Sequence, residues 1–295
     1  MRPGAPHQEQ RAARRRTAAH ALLAAALALA AYGGSVRNGF TFDDFQMAFD
    51  VPAAWRWPGL AALLGPRYFE LVPELSYRPV ATLSHYADFI ILNRDSAHGR
   101  AAVSHLTSVL LHAANAALAL LLLRKVGLSP FAALAAAALF AVHPAASEAV
   151  CAVAFREDLL VLGFAVAALL ARCAAIESAG RGRAGWGLAM CGLASLALLS
   201  KESALLLPAA ALLTDAVQPC AGPRRPRLLS LGLLVALDLL YLALRFGPMR
   251  RPLEAGLPLW SGDRWHAFLG ACNILVQYVR LSLVPIGLSL EHLPP

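Results

Sequence analysis

Long apolar segments separated by short polar connections dominate this chain. A helix that crosses a membrane needs roughly 20 mostly apolar residues. The segments that approach or exceed this length are 17–36, 101–123, 128–142, 159–176, 184–200, 204–217, 228–244 and 267–290. The sixth segment is short, and Arg280 and Pro285 interrupt the last one. The pattern predicts an all-α, polytopic membrane protein with about seven to eight transmembrane helices in residues 17–290, followed by a short tail, 291–295.

Composition supports a membrane protein and excludes several other classes. The chain is 58% hydrophobic and 15% charged, whereas soluble domains carry about 25% charged residues. The formal net charge is +8, but the arginines flank apolar segments, so we expect no nucleic-acid partner. The cysteines show no spacing typical of zinc ligands, and no tetratricopeptide-type repeat is present. We therefore expect no metal site and no soluble repeat domain.

Arginines beside the apolar segments predict their orientation. The first segment directly follows Arg11, Arg14, Arg15 and Arg16, so residues 1–16 are predicted to be a basic cytoplasmic N-terminus. Small residues at 33–35 also fit a signal peptide, but we favour a retained anchor. Alternation then places these basic residues in the cytoplasm: Arg124, Lys125, Arg172, Arg181, Arg183, Arg224, Arg225 and Arg227. The stretches 37–100, 143–158, 200–203 and 245–266 are predicted to lie outside, although the last contains four arginines.

The first outer loop, 37–100, begins with two adjacent carboxylates, Asp43 and Asp44, between phenylalanines. A turn or a helix cap is the alternative to a functional role for this pair. Further along, Trp55, Trp57, Leu60, Leu63, Leu64 and Tyr68 suit an amphipathic helix at headgroup depth, and Leu83, Tyr86, Phe89 and Ile90 suggest a second one. We expect interfacial helices in this loop.

Polar residues inside the apolar segments fall into two groups. His105, Ser108, His112 and Asn115 share one helix face, which predicts interhelical hydrogen bonds rather than catalysis. Asp215 and Asp238 are ionisable groups within apolar segments, where such groups are often functional.

The other outer connections are also rich in charge. His143 and Glu148 lie in one of them, which ends in Arg156, Glu157 and Asp158, and Lys201 with Glu202 forms a tight turn. Acidic residues at a helix start are favoured by the helix dipole, but Arg156 is not explained in that way. The topology predicts that these residues share one surface: Asp43, Asp44, Arg78, Arg156, Glu157, Asp158, Lys201 and Glu202.

In order along the chain, these motifs resemble a family of transmembrane O-mannosyltransferases. This family carries tetratricopeptide repeats in animals and belongs to the GT-C glycosyltransferase superfamily. The matching segments are 38–44, Tyr77-Arg78-Pro79, 105–112, 139–148, 156–158, 199–203 and 278–290. They are spread over most of residues 38–290. The chain departs from the family in having fewer apolar segments and no repeats.

The resemblance implies a GT-C-like fold and transfer of a sugar, typically mannose, from a polyprenyl- or dolichyl-phosphate carrier to a hydroxyl acceptor. The acceptor would be a protein Ser or Thr, and transfer would occur on the non-cytoplasmic face with inversion. Asp43 matches the family's first acid and would be the base, with Asp44 holding the loop or acceptor. Candidate donor-phosphate ligands are Arg78, Arg156 and Lys201, supported by Tyr77, His143, Glu148, Glu157, Asp158 and Glu202. Apart from the lipid-linked sugar, no cofactor is implied.

Two other functions remain open at this stage. A transporter would use Asp215, Asp238 and the break at Pro208 near the bilayer midplane. A catalytically inactive relative would bind a partner or lipid carrier through the same surface. In each case membrane lipid surrounds the protein, in a bacterial inner membrane with a periplasmic active face or in the endoplasmic reticulum with a lumenal one.

Overall fold

The computed structural model describes residues 5–41, 43–45, 59–72, 76–88, 97–217, 222–249 and 263–288. Within these ranges the chain is helical and contains no strand, which confirms the all-α prediction. The α-helices are α1 (Ala5–Tyr32), α2 (Leu60–Leu63), α3 (Tyr68–Leu71), α4 (Pro79–Tyr86), α5 (Ala97–Lys125), α6 (Pro130–Val142), α7 (Ser147–Cys151), α8 (Arg156–Glu177), α9 (Gly180–Leu198), α10 (Leu207–Val217), α11 (Arg224–Phe246) and α12 (Arg264–Leu283).

Four of the described helical segments are long and apolar enough to cross a membrane. They are Gln8–Arg37, Arg100–Lys125, Val153–Glu177 and Arg224–Phe246. A fifth is possible if Pro130–Val142 and Pro144–Cys151, which meet at a bend of 49°, form one span. The prediction of a multi-pass helical membrane protein is consistent with these segments. The higher count of about seven to eight spans remains a prediction, because α9, α10 and α12 do not meet the same criterion.

Local sequence explains where α6 begins and ends. Ser129 caps its first turn by accepting a hydrogen bond from the Ala132 N–H at 3.2 Å, and Pro130 occupies the first helical position. At the other end His143 leaves the helical conformation, and Pro144 cannot donate a backbone hydrogen bond. This proline explains the bend between the two apolar halves.

Helix α8 is the most buried of the spans. Within its most apolar stretch, 61% is buried inside the protein, compared with 17% for the corresponding stretch of α11. One apolar group packs α8 with α9, α10 and α11: Ala168, Leu169, Ala171, Met190, Ala194, Leu207, Ala211 and Leu234. Small residues form a second group between α1, α5 and α6: Ala21, Ala24, Ala28, Ala113, Ala116, Ala137 and Ala141. Alanines at these positions allow the backbones to approach closely, as is common between helices in membranes.

His112 and Asn115 on the polar face of α5 form the predicted interhelical hydrogen bonds, whereas His105 bonds to a loop. Nε2 of His105 lies 3.1 Å from the Gly39 carbonyl, and Nε2 of His112 lies 3.1 Å from the Ala141 carbonyl. Asn115 donates to the Leu159 carbonyl at 2.8 Å. These bonds join α5 to the loop after α1, to α6 and to α8.

The predicted amphipathic helix that includes Tyr68 is interrupted in the structure. A turn at Gly65 and Pro66 separates α2 from α3, because proline cannot continue a helix. Leu63 and Tyr68 are buried, so this segment packs into the protein. In the second predicted interfacial segment, Tyr86 is also buried. Trp55, Trp57, Phe89 and Ile90 lie outside the described residues.

The basic residues predicted to be cytoplasmic gather at one end of the helices. Lys125 and Glu177 form an ion pair at 2.5 Å, which joins the ends of α5 and α8. Arg172 is buried and binds Asp215 through two hydrogen bonds of 2.9 and 2.6 Å. Both contacts therefore join helix ends that the alternating topology predicts to lie on the cytoplasmic side.

Labelling of single cysteines in a cysteine-free background tests this arrangement. Ser147→Cys lies at an exposed position of the predicted outer connection, and Gly182→Cys lies at an exposed position of a predicted cytoplasmic loop. In intact cells we expect an impermeant thiol reagent to label Ser147→Cys only, and to label both after permeabilisation. Labelling of Gly182→Cys alone in intact cells would reverse the orientation.

Candidate functional site

Three chain segments form a cluster of charged side chains at the predicted outer end of the helices. This charged cluster consists of Arg78 before α4, Glu157 and Asp158 in the first turn of α8, and Lys201 and Glu202 after α9. The first turn of a helix favours carboxylates, because its free N–H groups carry positive partial charge. The Val80 N–H donates to the Leu199 carbonyl at 3.0 Å and so fixes α4 against the end of α9.

Within the charged cluster, each cation contacts two carboxylates. Arg78 donates to Glu157 at 3.0 Å and to Glu202 at 3.2 and 3.3 Å. Nζ of Lys201 lies 2.6 Å from Asp158 and 3.6 Å from Glu157. Glu157 is buried and links the two cations, whereas the other four side chains are partly exposed. The structure thus brings together five of the residues that the sequence predicted to share a surface.

Aromatic side chains pack beneath Arg78. The Tyr68 hydroxyl accepts a hydrogen bond from the Arg78 N–H at 3.3 Å and lies 2.8 Å from Oγ1 of Thr82. Tyr77 packs edge-on against Tyr68 and donates to the Leu64 carbonyl at 2.9 Å. Burial raises the pKa of Tyr77, so this side chain stays neutral. The predicted supporting role of Tyr77 is compatible with this packing position.

Arg156 lies in a separate buried network. Its side chain is fully buried and forms an ion pair with Asp88 at 2.6 Å. It also donates to Ser84 at 3.0 Å and to the Ser104 carbonyl at 2.9 Å. Burial and the nearby Arg156 charge together hold the pKa of His85 well below its ordinary range, so His85 is neutral. Asp88, Ser84 and the Ser104 carbonyl thus bind the Arg156 guanidinium, and its predicted contact with the donor phosphate remains a prediction.

The two adjacent aspartates differ in their surroundings. Asp44 is buried, and its two carboxylate oxygens accept hydrogen bonds from the Ala154 N–H at 2.7 Å and the Thr41 N–H at 3.1 Å. Burial raises the pKa of Asp44, and these hydrogen bonds and the electrostatic effect of His105 oppose that rise. Asp43 is half-buried, and its carboxylate forms no hydrogen bond or ion pair with the described residues.

A pocket of about 320 Å³ lies beside the aspartate loop, the segment from Asn38 to Asp44 that follows α1. Its lining includes Asn38 and Thr41 from that loop and Ser147 and Glu148 from α7. His143 lies just before α7, where its Nδ1 accepts a hydrogen bond from the Ala145 N–H at 3.2 Å. Its carbonyl accepts a 2.6 Å hydrogen bond from the Tyr32 hydroxyl. The structure therefore gives His143 a role at the helix break and places Glu148 at a cavity.

Sequence reasoning missed several polar residues of this region. Asp88 is the buried partner of Arg156, and its position within an apolar stretch was an available signal. Tyr241 and Arg245 of α11 lie near the charged cluster, and no local motif marked them. Among the described residues, no group of three or more His, Cys, Asp or Glu side chains could hold a metal ion.

Comparisons with protein-family models, with curated proteins and with solved structures find no match to this chain. The geometry of the site therefore carries the functional argument.

Proposed function

We propose that this chain is a GT-C-type glycosyltransferase whose donor is a polyprenyl- or dolichyl-phosphate sugar, which by resemblance is mannose. The observation that carries the proposal is the convergence of the aspartate loop and the charged cluster at one end of the helices. Asp44 bonds to the backbone of Ala154, which precedes Glu157 by three residues. A carboxylate and two partly exposed cations are thus available near the predicted membrane surface.

The proposed reaction requires a base and a site for the leaving phosphate. The acceptor hydroxyl oxygen attacks the anomeric carbon, and its proton passes to Asp43. The bond from that carbon to the phosphate oxygen breaks, and the electron pair leaves with the lipid phosphate, which inverts the configuration. Arg78 and Lys201 would stabilise the charge on the phosphate. Asp44 would hold the loop, and the pocket beside Glu148 would accommodate the acceptor, proposed to be a protein Ser or Thr.

The structural context of the proposal is a multi-pass membrane protein. We propose the GT-C arrangement with about seven to eight spans, and an active face in the periplasm or, alternatively, in the lumen of the endoplasmic reticulum. The sequence position of Asp215 supported the transporter alternative. The ion pair of Asp215 with Arg172 weakens that support, because it gives the carboxylate a structural partner. A non-catalytic binding protein is distinguished from the enzyme by the absence of sugar transfer.

The donor can be tested with purified protein in detergent or liposomes. We expect transfer from a polyprenyl-phosphate mannose to a hydroxyl-bearing acceptor peptide, and no transfer from GDP-mannose alone. The reason is that the cations lie at predicted headgroup depth. Radiolabelled sugar on the peptide measures transfer, and lipid extraction checks for any lipid intermediate. Transfer from GDP-mannose without a lipid intermediate would contradict the proposed donor.

A further inference from the structure

Two carboxylates hold different edges of the Arg78 guanidinium. Nη1 donates to Glu157, whose side chain is 7% exposed. Nε and Nη2 both donate to one oxygen of Glu202, whose side chain is 34% exposed. Two neighbouring N–H groups of a guanidinium are the usual ligands for a phosphate. Glu202 therefore occupies an edge of Arg78 that suits a phosphate group.

Charges of both signs lie around this edge among the described residues. Arg245 adds a third cation near the charged cluster, since its guanidinium lies 5.4 Å from the ring of Phe69, which packs near Tyr77. The cations Arg78 and Lys201 form ion pairs with the carboxylates Glu157, Asp158 and Glu202. An anion that entered this edge would lie next to the Glu202 carboxylate, which would repel it unless that carboxylate moved away. Glu202 is the more exposed of the two that bind Arg78, so it can return to solvent more easily.

The Tyr241 hydroxyl is a polar group with no role in the proposed reaction. Its side chain packs in one apolar group with Tyr77 and Ala204, which are close in sequence to Arg78 and Glu202. Tyr241 is 6% exposed, and its hydroxyl has no hydrogen-bond partner among the described residues. Burial of a hydroxyl without a hydrogen-bond partner costs free energy. A ligand that accepts a hydrogen bond from this hydroxyl would remove that cost.

We propose that Arg78 and Tyr241 together bind one phosphate group, and that Glu202 occupies the Arg78 edge until the phosphate displaces it. The phosphate oxygens accept hydrogen bonds from Nε and Nη2 of Arg78 and from the Tyr241 hydroxyl. Glu157 keeps its bond to Nη1 and holds the guanidinium in place. That the phosphate belongs to a polyprenyl lipid rests on the proposed function.

Binding of a polyprenyl phosphate without sugar tests this site in the full chain in neutral detergent micelles. Glu202→Gln removes the competing charge, and we expect the dissociation constant to fall at least about threefold. Tyr241→Phe keeps the ring but removes a hydrogen bond to a charged group, and we expect the constant to rise about tenfold. Glu70→Gln, at the exposed Arg67–Glu70 ion pair, is the matched control and should leave it unchanged.

Unchanged or weaker binding by Glu202→Gln would overturn the displacement of Glu202, and a change below about twofold in Tyr241→Phe would remove Tyr241 from the site. Parallel measurements use phosphatidylglycerol micelles and inorganic phosphate. Equally tight binding of either probe, with the same response to Glu202→Gln, would overturn the assignment to a polyprenyl phosphate.

This assay contains no acceptor and no sugar, so its result is independent of turnover. The expected shifts in a chain that transfers no sugar would support the phosphate site and reject the enzyme. Sugar transfer by a chain whose variants show no shift would support the enzyme and reject this site.

Discussion

Replacing Asp43 by Asn is expected to lower sugar transfer at least about a hundredfold while leaving expression and membrane insertion unchanged. A hydroxyl has a pKa far above 7, so a carboxylate that accepts its proton as the new bond forms typically contributes 10²- to 10⁴-fold. Asn keeps the size of Asp but removes the base. The Asp43 carboxylate makes no hydrogen bond or ion pair with the described residues, so its replacement should change stability little. Initial rates with a saturating lipid donor measure the effect.

Asp44→Asn is the matched control, since it makes the same chemical change one residue away. Asp44 uses both oxygens to accept backbone N–H groups, and an amide can replace only one of them. We therefore expect this variant to lower the melting temperature as well as transfer. Near wild-type transfer by Asp43→Asn, with loss of transfer in Asp44→Asn at an unchanged melting temperature, would move the base to Asp44. Full activity of both variants would show that this pair is not catalytic.

Replacing Arg156 by Met should destabilise the protein by about 3–5 kcal/mol, because it leaves the buried Asp88 carboxylate without its cation. The lost hydrogen bonds to Ser84 and the Ser104 carbonyl act in the same direction. Unfolding by sodium dodecyl sulfate in mixed micelles measures the change. The double variant Arg156→Met/Asp88→Asn should recover part of the loss, since it leaves no unpaired buried charge.

Arg67→Gln is the control, because it removes an exposed ion pair instead of a buried one. Arg67 and Glu70 form an ion pair whose side chains are 72% and 66% exposed, so water and salt screen it. We expect its unfolding midpoint to stay close to that of the wild-type protein. An Arg156→Met variant as stable as Arg67→Gln would contradict the structural role of Arg156 and leave it available for a ligand.

The sequence alone determined the all-α class and the membrane character of this chain. Both follow from local properties: the length of the apolar segments and the arginines beside them. The stripe on α5 was also predictable, because His105, His112 and Asn115 recur at helical spacing, and each makes a hydrogen bond to another segment. Helix ends at Ser129 and Pro144 follow from capping and from the missing proline N–H in the same way.

The tertiary structure alone decided which charged side chains are partners. Arg78 and Arg156 were equivalent in the sequence prediction, yet Arg78 stays partly exposed with Glu202 while Arg156 is buried with Asp88. The burial of Tyr68 and the packing of Tyr241 with Tyr77 also had no local signal. Such pairings join residues far apart in the chain, and their energies depend on burial and on distances of a few ångströms. Periodicity and composition fix the helices and their order, but only the packing of those helices sets these distances.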